Sequence, residues 1–148
     1  VSGAVSSHKK VKTIENEGQQ SMVLLHCVSS YPTDVADANL RAMQTMATAI
    51  GRPVGYSDHT LGIEIALAAV ALGACVIEKH FTVDRELPGP DHRASLEPDE
   101  LATLVRSIRA VEAALGHGRK EPAACEANTA AVVRKSLVAA REIPAGTV

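Results

Sequence analysis

The sequence predicts an α/β fold in which parallel strands alternate with helices. Three short apolar runs are each followed by a run with helical spacing, and only a few residues connect them. This alternation is typical of parallel strands joined by crossover helices. The strands are apolar along their length, as expected when both faces of a sheet are covered. Two architectures fit this pattern: an open doubly wound sheet and a (β/α)8 barrel.

The first half of the chain predicts two strands on either side of one helix. In the weakly patterned, polar N-terminal stretch Ser6 or Ser7 could cap a short helix running to Gly18, and the apolar run 22–28 then predicts a buried strand. Apolar residues recur at helical spacing between 36 and 50, with Asp34 as a capping residue and Gly51 as the stop. The short run 53–57 predicts the second strand.

The second half repeats the pattern. Thr60 is predicted to cap a nearly all-apolar helix over 61–72, and the run 74–81 predicts a third strand. A polar loop over 82–94 leads to the clearest helix, which begins near Pro98. The predicted buried stripe of that helix consists of Leu101, Leu104, Val105, Ile108, Val111 and Leu115.

Composition limits the functional classes. The chain has 148 residues, of which 46% are hydrophobic and 22% charged, with a formal net charge of −2. These values are typical of a globular domain with a buried core. The charge argues against general nucleic-acid binding, and the 2% aromatic content argues against stacking platforms for bases or sugars.

The apparent compartment is the cytoplasm. No signal peptide and no uninterrupted apolar span are visible, so we expect neither secretion nor membrane insertion. The three cysteines lack CxxC spacing and are expected to be reduced. We interpret them as packing residues, with Cys75 opening a buried strand and no base beside any of them.

Polar side chains capable of chemistry gather after every predicted strand. In parallel α/β folds this is the edge where ligands bind. Ordinary loop polarity explains any one strand end, but explains three together less easily. No GxGxxG or GxxxxGK[ST] loop follows a strand, which weakens a nucleotide-binding interpretation. The residues are His26, Ser29, Ser30, Tyr31, Ser57, Asp58, His59, Glu78, Lys79 and His80.

Strand alternation groups some of these residues. Ser57 and His59 share one face of their strand, and Glu78 and His80 share one face of the next. If both histidines point inward, adjacent strands direct two imidazoles toward one ligand, which suits a divalent metal with open positions. The pair also fits hydrogen-bonded or surface histidines. His26 fits either a satisfied core position or the ligand-facing side.

Lys79 and Asp91 each allow two interpretations. A lysine at a strand end could bind a phosphate or carboxylate, or form a Schiff base. Because alternation turns Lys79 away from Glu78 and His80, a structural ion pair near the rim is favoured. Asp91 lies in a loop stiffened by neighbouring prolines, which suits either hydrogen bonding to a substrate or simple turn formation.

Four motifs, in the right order, resemble the sialic acid synthase family, which comprises N-acetylneuraminate synthases and their legionaminate and pseudaminate relatives. With a fifth stretch, RKSLVAAR at 134–141, which resembles the lead into the family's C-terminal antifreeze-like (SAF) domain, the resemblance covers roughly residues 22–146. The four motifs are LLHCVSSYPT at 24–33, PVGYSDHTLGI at 53–63, VIEKHFT at 76–82 and PGPDHRASLEP at 88–98.

The resemblance implies an architecture larger than this chain. Residues 1–135 would form the C-terminal half of a (β/α)8 TIM barrel, and 136–148 would be a linker entering a missing SAF domain. A complete barrel typically needs about 250 residues, so the N-terminal half is expected to be absent. The parent protein would be a homodimer.

The resemblance also implies a reaction. The family condenses phosphoenolpyruvate with N-acetylmannosamine, or a related amino sugar, and releases phosphate. A divalent metal, Mn²⁺ or Mg²⁺, is held by two histidines that match His59 and His80, and it polarises the sugar aldehyde. Glu78 would act as a partner of the metal or of its bound water.

Substrate contacts follow from the same matches. Ser57 matches a position near the bound phosphoenolpyruvate, and Tyr31 and Asp91 match sugar-contacting positions. Ser29 stands where family members often carry asparagine, which implies an altered substrate or phosphate contact. Because half of the substrate shell would be missing, the isolated chain is expected to be inactive. A Schiff-base aldolase using Lys79 and a non-catalytic half-barrel remnant are the alternatives.

Overall fold

A parallel three-stranded sheet forms the centre of the structure, as the sequence predicts. In this computed structural model the strands lie in the order β1-β2-β3, with both pairs parallel. The register places Ser57 of the central strand between Cys27 and Glu78. The strands are β1 (Leu24–Cys27), β2 (Val54–Asp58) and β3 (Ile77–Lys79).

The structure describes residues 2–19 and 21–147, without the side chains of residues 2–8 and Ala131. The chain divides into two units, 1–116 and 117–148. The predicted domain boundary between 135 and 136 stays a prediction. Within the described ranges, no helix combines the length and the apolar character needed to cross a membrane.

Helices alternate with the strands in the first unit, and a short helix that was not predicted lies in the second. Single 3-10 turns at Val35–Asp37, His92–Ala94 and Ala124–Glu126 interrupt the connections. The helices are α1 (Ser2–Asn16), α2 (Ala42–Ile50), α3 (Glu64–Ala71), α4 (Pro98–Leu115) and α5 (Ala127–Val133).

The predicted helix over 36–50 is divided in two. Asp34 does act as a cap, because its Oδ1 accepts from the Ala36 amide at 2.9 Å, but it begins the 3-10 turn. Asn39 then adopts φ +43°, a left-handed conformation that a continuing helix cannot contain. Gly51, at φ +70°, ends α2 as predicted.

The start predicted for the next helix is wrong. Thr60 does not cap it, since α3 begins only at Glu64. The Glu64 carboxylate accepts from the Ile63 amide at 2.9 Å, which satisfies one of the free donors at this helix end. Thr60 bonds instead to Asp58, two residues earlier.

The third strand is shorter than the predicted run 74–81. Regular pairing covers Ile77–Lys79, although the Cys75 amide already donates to Val54 O at 3.0 Å. Beyond the strand, Phe81 pairs with Leu96 in a separate parallel bridge. After Lys79 the chain no longer pairs with β2, because its next backbone partners come from the segment before α4.

Burial separates the central strand from the edge strands. All of β2 is buried, as predicted, but β1 and β3 are half-buried with exposed positions. The prediction that every strand is covered on both faces is wrong for these two, because each has a strand partner on one side only. All three cysteines are exposed, and Cys75 precedes β3, so the interpretation of the cysteines as packing residues is also wrong.

The core consists of two clusters that hold the sheet against its helices. One cluster joins α3 to α4, and in it Leu104 is buried while Leu101 and Ile108 are half-buried. Val105 and Leu115 of the predicted stripe are instead about half exposed, at 48% and 54%. The other cluster packs helices on the sheet and contains Met43, Val54, Tyr56 and Ala69.

Candidate functional site

Three rings from three strand ends meet at the carboxyl edge of the sheet. His59 directly follows β2 and His80 directly follows β3, and their ring centroids are 5.3 Å apart in an edge-to-face arrangement. Tyr31, beyond β1, lies with its ring centroid 4.0 Å from that of His59 and 5.2 Å from that of His80. The structure thus brings together three of the residues that the sequence singles out.

Hydrogen bonding fixes the tautomer of His59. Its Nδ1 lies 2.7 Å from the carbonyl oxygen of Val28. A carbonyl oxygen only accepts, so Nδ1 must carry the proton and donate it. In the neutral ring the lone pair is then on Nε2. A backbone carbonyl that holds the far nitrogen in this way is the usual support of a metal-binding imidazole.

Ser57 and Glu78 form the second part of the site. Ser57 Oγ donates to Glu78 Oε1 at 2.6 Å, across the register pair of β2 and β3. The same hydroxyl oxygen lies 3.4 Å from His59 Nε2. A hydroxyl has one proton, and the shorter bond to the carboxylate takes it. The Nε2 lone pair of His59 therefore remains available to a ligand.

The donor set suits a divalent metal in part. Two imidazoles with open positions for water or substrate are a recognised arrangement for such ions. Among the residues that the structure describes, no group of three or more His, Cys, Asp or Glu converges as a metal site. No hydrogen bond joins the His80 imidazole to any described residue, so this ring too can accept a ligand. The two histidines fit a site that water or substrate completes.

A cavity of about 480 Å³ lies beside Tyr31. Tyr31 belongs both to the ring cluster and to the wall of this cavity, whereas neither histidine lines the cavity. Arg85 and Arg93 bring positive charge to the wall, although Arg85 is already paired with Glu100. The rest of the lining comes from Pro32, the loop 86–90 and Ala94.

The opposite face of the same strand ends carries a buried ion pair. Lys79 Nζ donates to Asp58 Oδ2 at 2.8 Å and to the carbonyl oxygen of Thr60 at 2.6 Å. The Lys79 side chain is 3% exposed and that of Asp58 is fully buried. The prediction of a structural ion pair is confirmed, although the pair is enclosed and not near the rim. Its enclosure also argues against Lys79 as a Schiff-base amine.

Three further residues from the sequence prediction make no hydrogen bond and no ring contact with the ring cluster. Ser29 and Asp91 are exposed, and no side-chain hydrogen bond joins either to another described residue. The Asp91 backbone carbonyl accepts from Ser95 Oγ at 2.8 Å, which holds the loop and not the carboxylate. His26 is a satisfied, half-buried residue, since its Nε2 lies 2.9 Å from Ala38 O.

Some contacts of the site were not predicted. The Thr33 amide donates to the carbonyl oxygen of His59 at 2.9 Å, which ties the segment after β1 to the segment after β2. Cys27 Sγ lies 3.8 Å from His59 Nδ1, so an imidazole that was not predicted there lies beside this cysteine, although its Nδ1 carries a proton and cannot act as a base toward the thiol. The sequence held one signal for the Asp58–Lys79 pair, since each of the two residues stands one position before a histidine.

The fold and the strand-end cluster define an α/β protein with a candidate ligand site at the carboxyl edge of a parallel sheet. The chain belongs to the NeuB family, whose family model matches residues 3–120. The resemblance inferred from the four motifs is thereby confirmed.

Two relatives illustrate the range of the family. The chain is 54% identical over 125 residues to the N,N'-diacetyllegionaminic acid synthase of Legionella pneumophila, covering 84% of this chain and 35% of that protein. It is 46% identical over 145 residues to the N-acetylneuraminate-9-phosphate synthase of Mus musculus, covering 97% of this chain and 40% of that protein. The chain therefore spans well under half the length of these relatives.

Solved structures give the same assignment. An N-acetylneuraminic acid synthetase from Leptospira borgpetersenii, in complex with citrate, superposes with a TM-score of 0.71 at 46% identity, covering 86% of this chain and 46% of that one. The spore coat polysaccharide biosynthesis protein SpsE of Bacillus subtilis superposes with a TM-score of 0.73 at 42% identity, covering 78% and 33%.

Proposed function

We propose that this chain is a segment of a synthase that condenses phosphoenolpyruvate with N-acetylmannosamine, or a related amino sugar, and releases phosphate. The main support is that His59, His80, Tyr31 and the Ser57–Glu78 pair meet at the carboxyl edge of the sheet. All of them lie within the region that matches the NeuB family. Relatives named as sialic, legionaminic and pseudaminic acid synthases support the same class of activity.

The architecture of the parent follows from this proposal. The parallel strands and alternating helices agree with one half of a (β/α)8 barrel, and the chain covers 35% and 40% of the length of two relatives. The C-terminal SAF domain, the homodimeric parent and the cytoplasmic setting stay predictions.

In the proposed reaction C3 of phosphoenolpyruvate bonds to the aldehyde carbon, water adds at C2 and phosphate leaves. His59, through Nε2, and His80 would hold a Mn²⁺ or Mg²⁺ ion. That ion, when bound, would polarise the sugar aldehyde as a Lewis acid. Glu78 Oε1 accepts a hydrogen bond from the Ser57 hydroxyl, which leaves the other carboxylate oxygen of Glu78 able to hold a water.

Tyr31 is proposed to position the amino sugar. Its ring packs against that of His59 in a tilted arrangement, yet 48% of the residue is exposed to solvent. Because Tyr31 also lines the cavity of about 480 Å³, the distal part of the sugar would extend from the histidines into that space. Asp91 and Ser29, on exposed segments near this edge, are proposed to add substrate contacts once the rest of the enzyme is present.

A chimera tests the proposal. Residues 3–120 would replace the matching region of the Legionella pneumophila synthase, and phosphate release from phosphoenolpyruvate would be measured with Mn²⁺ and several amino sugars. We expect activity, and a loss of more than about 100-fold in the His59→Ala and His80→Ala chimeras. His117→Ala, at an exposed histidine, is the matched control and should keep full activity.

Two outcomes would overturn the proposal. A chimera that releases no phosphate with any sugar would favour a non-catalytic remnant. A His59→Ala chimera that kept full activity with Mn²⁺ would remove the metal assignment. The 148-residue chain alone should give no turnover, since rate depends on positioning both reactants. Phosphate release by that chain would contradict the half-barrel proposal.

The acceptor sugar separates two versions of this function. Two relatives named as N,N'-diacetyllegionaminic acid synthases share 54% and 52% identity with the chain. A related amino sugar of the legionaminate type is therefore the second candidate acceptor.

A further inference from the structure

We propose that the buried Asp58–Lys79–Thr60 network is a positioning device that sets the relative placement of His59 and His80. This inference rests on the proposed function, since it assigns to the network the task of holding the two candidate metal ligands. Its residues are not themselves ligands, and they lie on the other face of the same two strand ends.

The network connects the strand ends just before each histidine. Asp58 and Lys79 are register partners on β2 and β3, so their ion pair crosses directly from one strand to the other. His59 and His80 are the next residues along each strand end. Any slip or splaying of the two strand ends would move both imidazoles, and the cross-strand bond opposes that movement.

The network also fixes the backbone on both sides of His59. Asp58 Oδ1 accepts from the amide and the hydroxyl of Thr60, at 2.9 and 2.8 Å. Lys79 Nζ donates to the Thr60 carbonyl oxygen at 2.6 Å. His59 therefore lies between the Asp58 carboxylate and the Thr60 amide, hydroxyl and carbonyl groups, all of which belong to the network, and its own carbonyl accepts from the Thr33 amide.

Burial makes the device rigid. The side chains of Asp58 and Lys79 are 0% and 3% exposed, and Thr60 is fully buried. Water does not compete for these bonds, so the charged groups strongly favour the one geometry that pairs them. A simple surface ion pair, such as Arg109 with Glu112, could not impose this constraint because both side chains are largely exposed.

The test uses the 148-residue chain and a charge-neutral double variant, Asp58→Asn/Lys79→Met. Asparagine keeps an acceptor for Thr60 and methionine keeps the aliphatic stem, so no unpaired charge is buried. The matched control is Arg109→Met/Glu112→Gln, which removes the same charges at an exposed site. Thermal unfolding first shows that each variant folds.

Two readouts separate positioning from folding. The first is Mn²⁺ affinity, followed by electron paramagnetic resonance, which should fall at least about tenfold in the double variant and remain unchanged in the control. The second needs no metal: long-range ¹H–¹⁵N correlation of the His59 ring, where the wild type should show a single tautomer protonated at Nδ1. The double variant should show mixed tautomers.

The outcomes are distinguishable. A folded double variant with wild-type affinity and a single His59 tautomer would overturn the inference. If the wild-type chain itself does not bind Mn²⁺, the metal assignment of the proposed function fails, and the ring spectra alone decide the positioning role. If the double variant does not fold, Thr60→Val, which removes one bond to Asp58, replaces it, and an unchanged His59 spectrum there would overturn the inference.

Discussion

At the carboxyl edge of the sheet, the same kinds of residue have different roles on the two faces. On the enclosed face, Asp58 and Lys79 satisfy each other and Thr60. On the open face, Ser57 and Glu78 bond to each other, while two imidazoles keep unused acceptor capacity. A polar group that is fully satisfied and buried stabilises the fold, whereas one with unused capacity, such as His59 beside the exposed Tyr31, can bind a ligand.

The difference arises from strand alternation. Successive residues of β2 point to opposite faces, so Ser57 and Asp58 share a strand but not an environment. Parallel pairing with β3 then places Glu78 beside Ser57 and Lys79 beside Asp58. The dipeptides Ser57–Asp58 and Glu78–Lys79, on adjacent strands, thereby supply both the buried ion pair and part of the candidate site.

The largest effect is expected from breaking the enclosed pair. Lys79→Met would leave the Asp58 carboxylate buried without a counter-charge, which typically costs about 3–5 kcal/mol of unfolding free energy. Urea denaturation of the chain would measure it. Arg109→Met, at an exposed pair, is the control and should cause no measurable change. Similar stability of Lys79→Met and the wild type would mean that the two faces do not differ as described.

A smaller loss is expected at the other end of the open face. A Cβ atom on Gly55 would lie 2.5 Å from Val76 O and 2.7 Å from Leu25 Cδ2. Because one of these atoms is backbone, Gly55→Ala must displace a neighbouring strand, at a cost of about 1–3 kcal/mol. Urea denaturation measures this as well. An unaffected variant would show that the open face has free space along its whole length.

Alternation, helix stops and the polar strand ends could be predicted from the sequence because each depends on local spacing. The His59–His80 pair was accessible for the same reason, given parallel strands. The pairing of Asp58 with Lys79 depends on the same register, but the sequence did not indicate that this face is enclosed, so neither the partner of Lys79 nor the full burial of the pair was predicted. Thr60 was misjudged because its preference for a helix cap lost to the buried carboxylate two residues earlier. Cys75 was misjudged because the edge strand is too short to cover it.

The Tyr56 hydroxyl tests whether every polar group on the enclosed face has a hydrogen-bond partner. The residue is buried, and its hydroxyl has no hydrogen-bond partner among the described residues. Burial, with a contribution from the Asp58 charge, raises the pKa of Tyr56 to about 12 from its ordinary value of 10.0. We expect Tyr56→Phe to stabilise the chain by about 1 kcal/mol at neutral pH, because it removes an unsatisfied buried donor.

The pH dependence of this variant has a defined sign. The folded-state pKa is raised, so the neutral phenol stabilises the wild type fully below pH 10 and loses this contribution as the pH rises toward 12. The stability advantage of Tyr56→Phe should therefore widen between these values. Denaturation curves at pH 8 to 11 would measure it, and an advantage that stays constant would contradict the burial of this hydroxyl.

The smallest change in stability is expected on the open face itself. Glu78 is exposed at its strand position, and glutamine retains an oxygen that accepts from Ser57, so Glu78→Gln should alter the unfolding free energy by less than about 0.5 kcal/mol. The same change removes the carboxylate charge beside His59 and His80, and it should weaken Mn²⁺ binding about tenfold. Denaturation and metal titration on one sample would compare the two quantities. A large loss of stability without a loss of metal affinity would place Glu78 among the structural residues and reverse the assignment of the two faces.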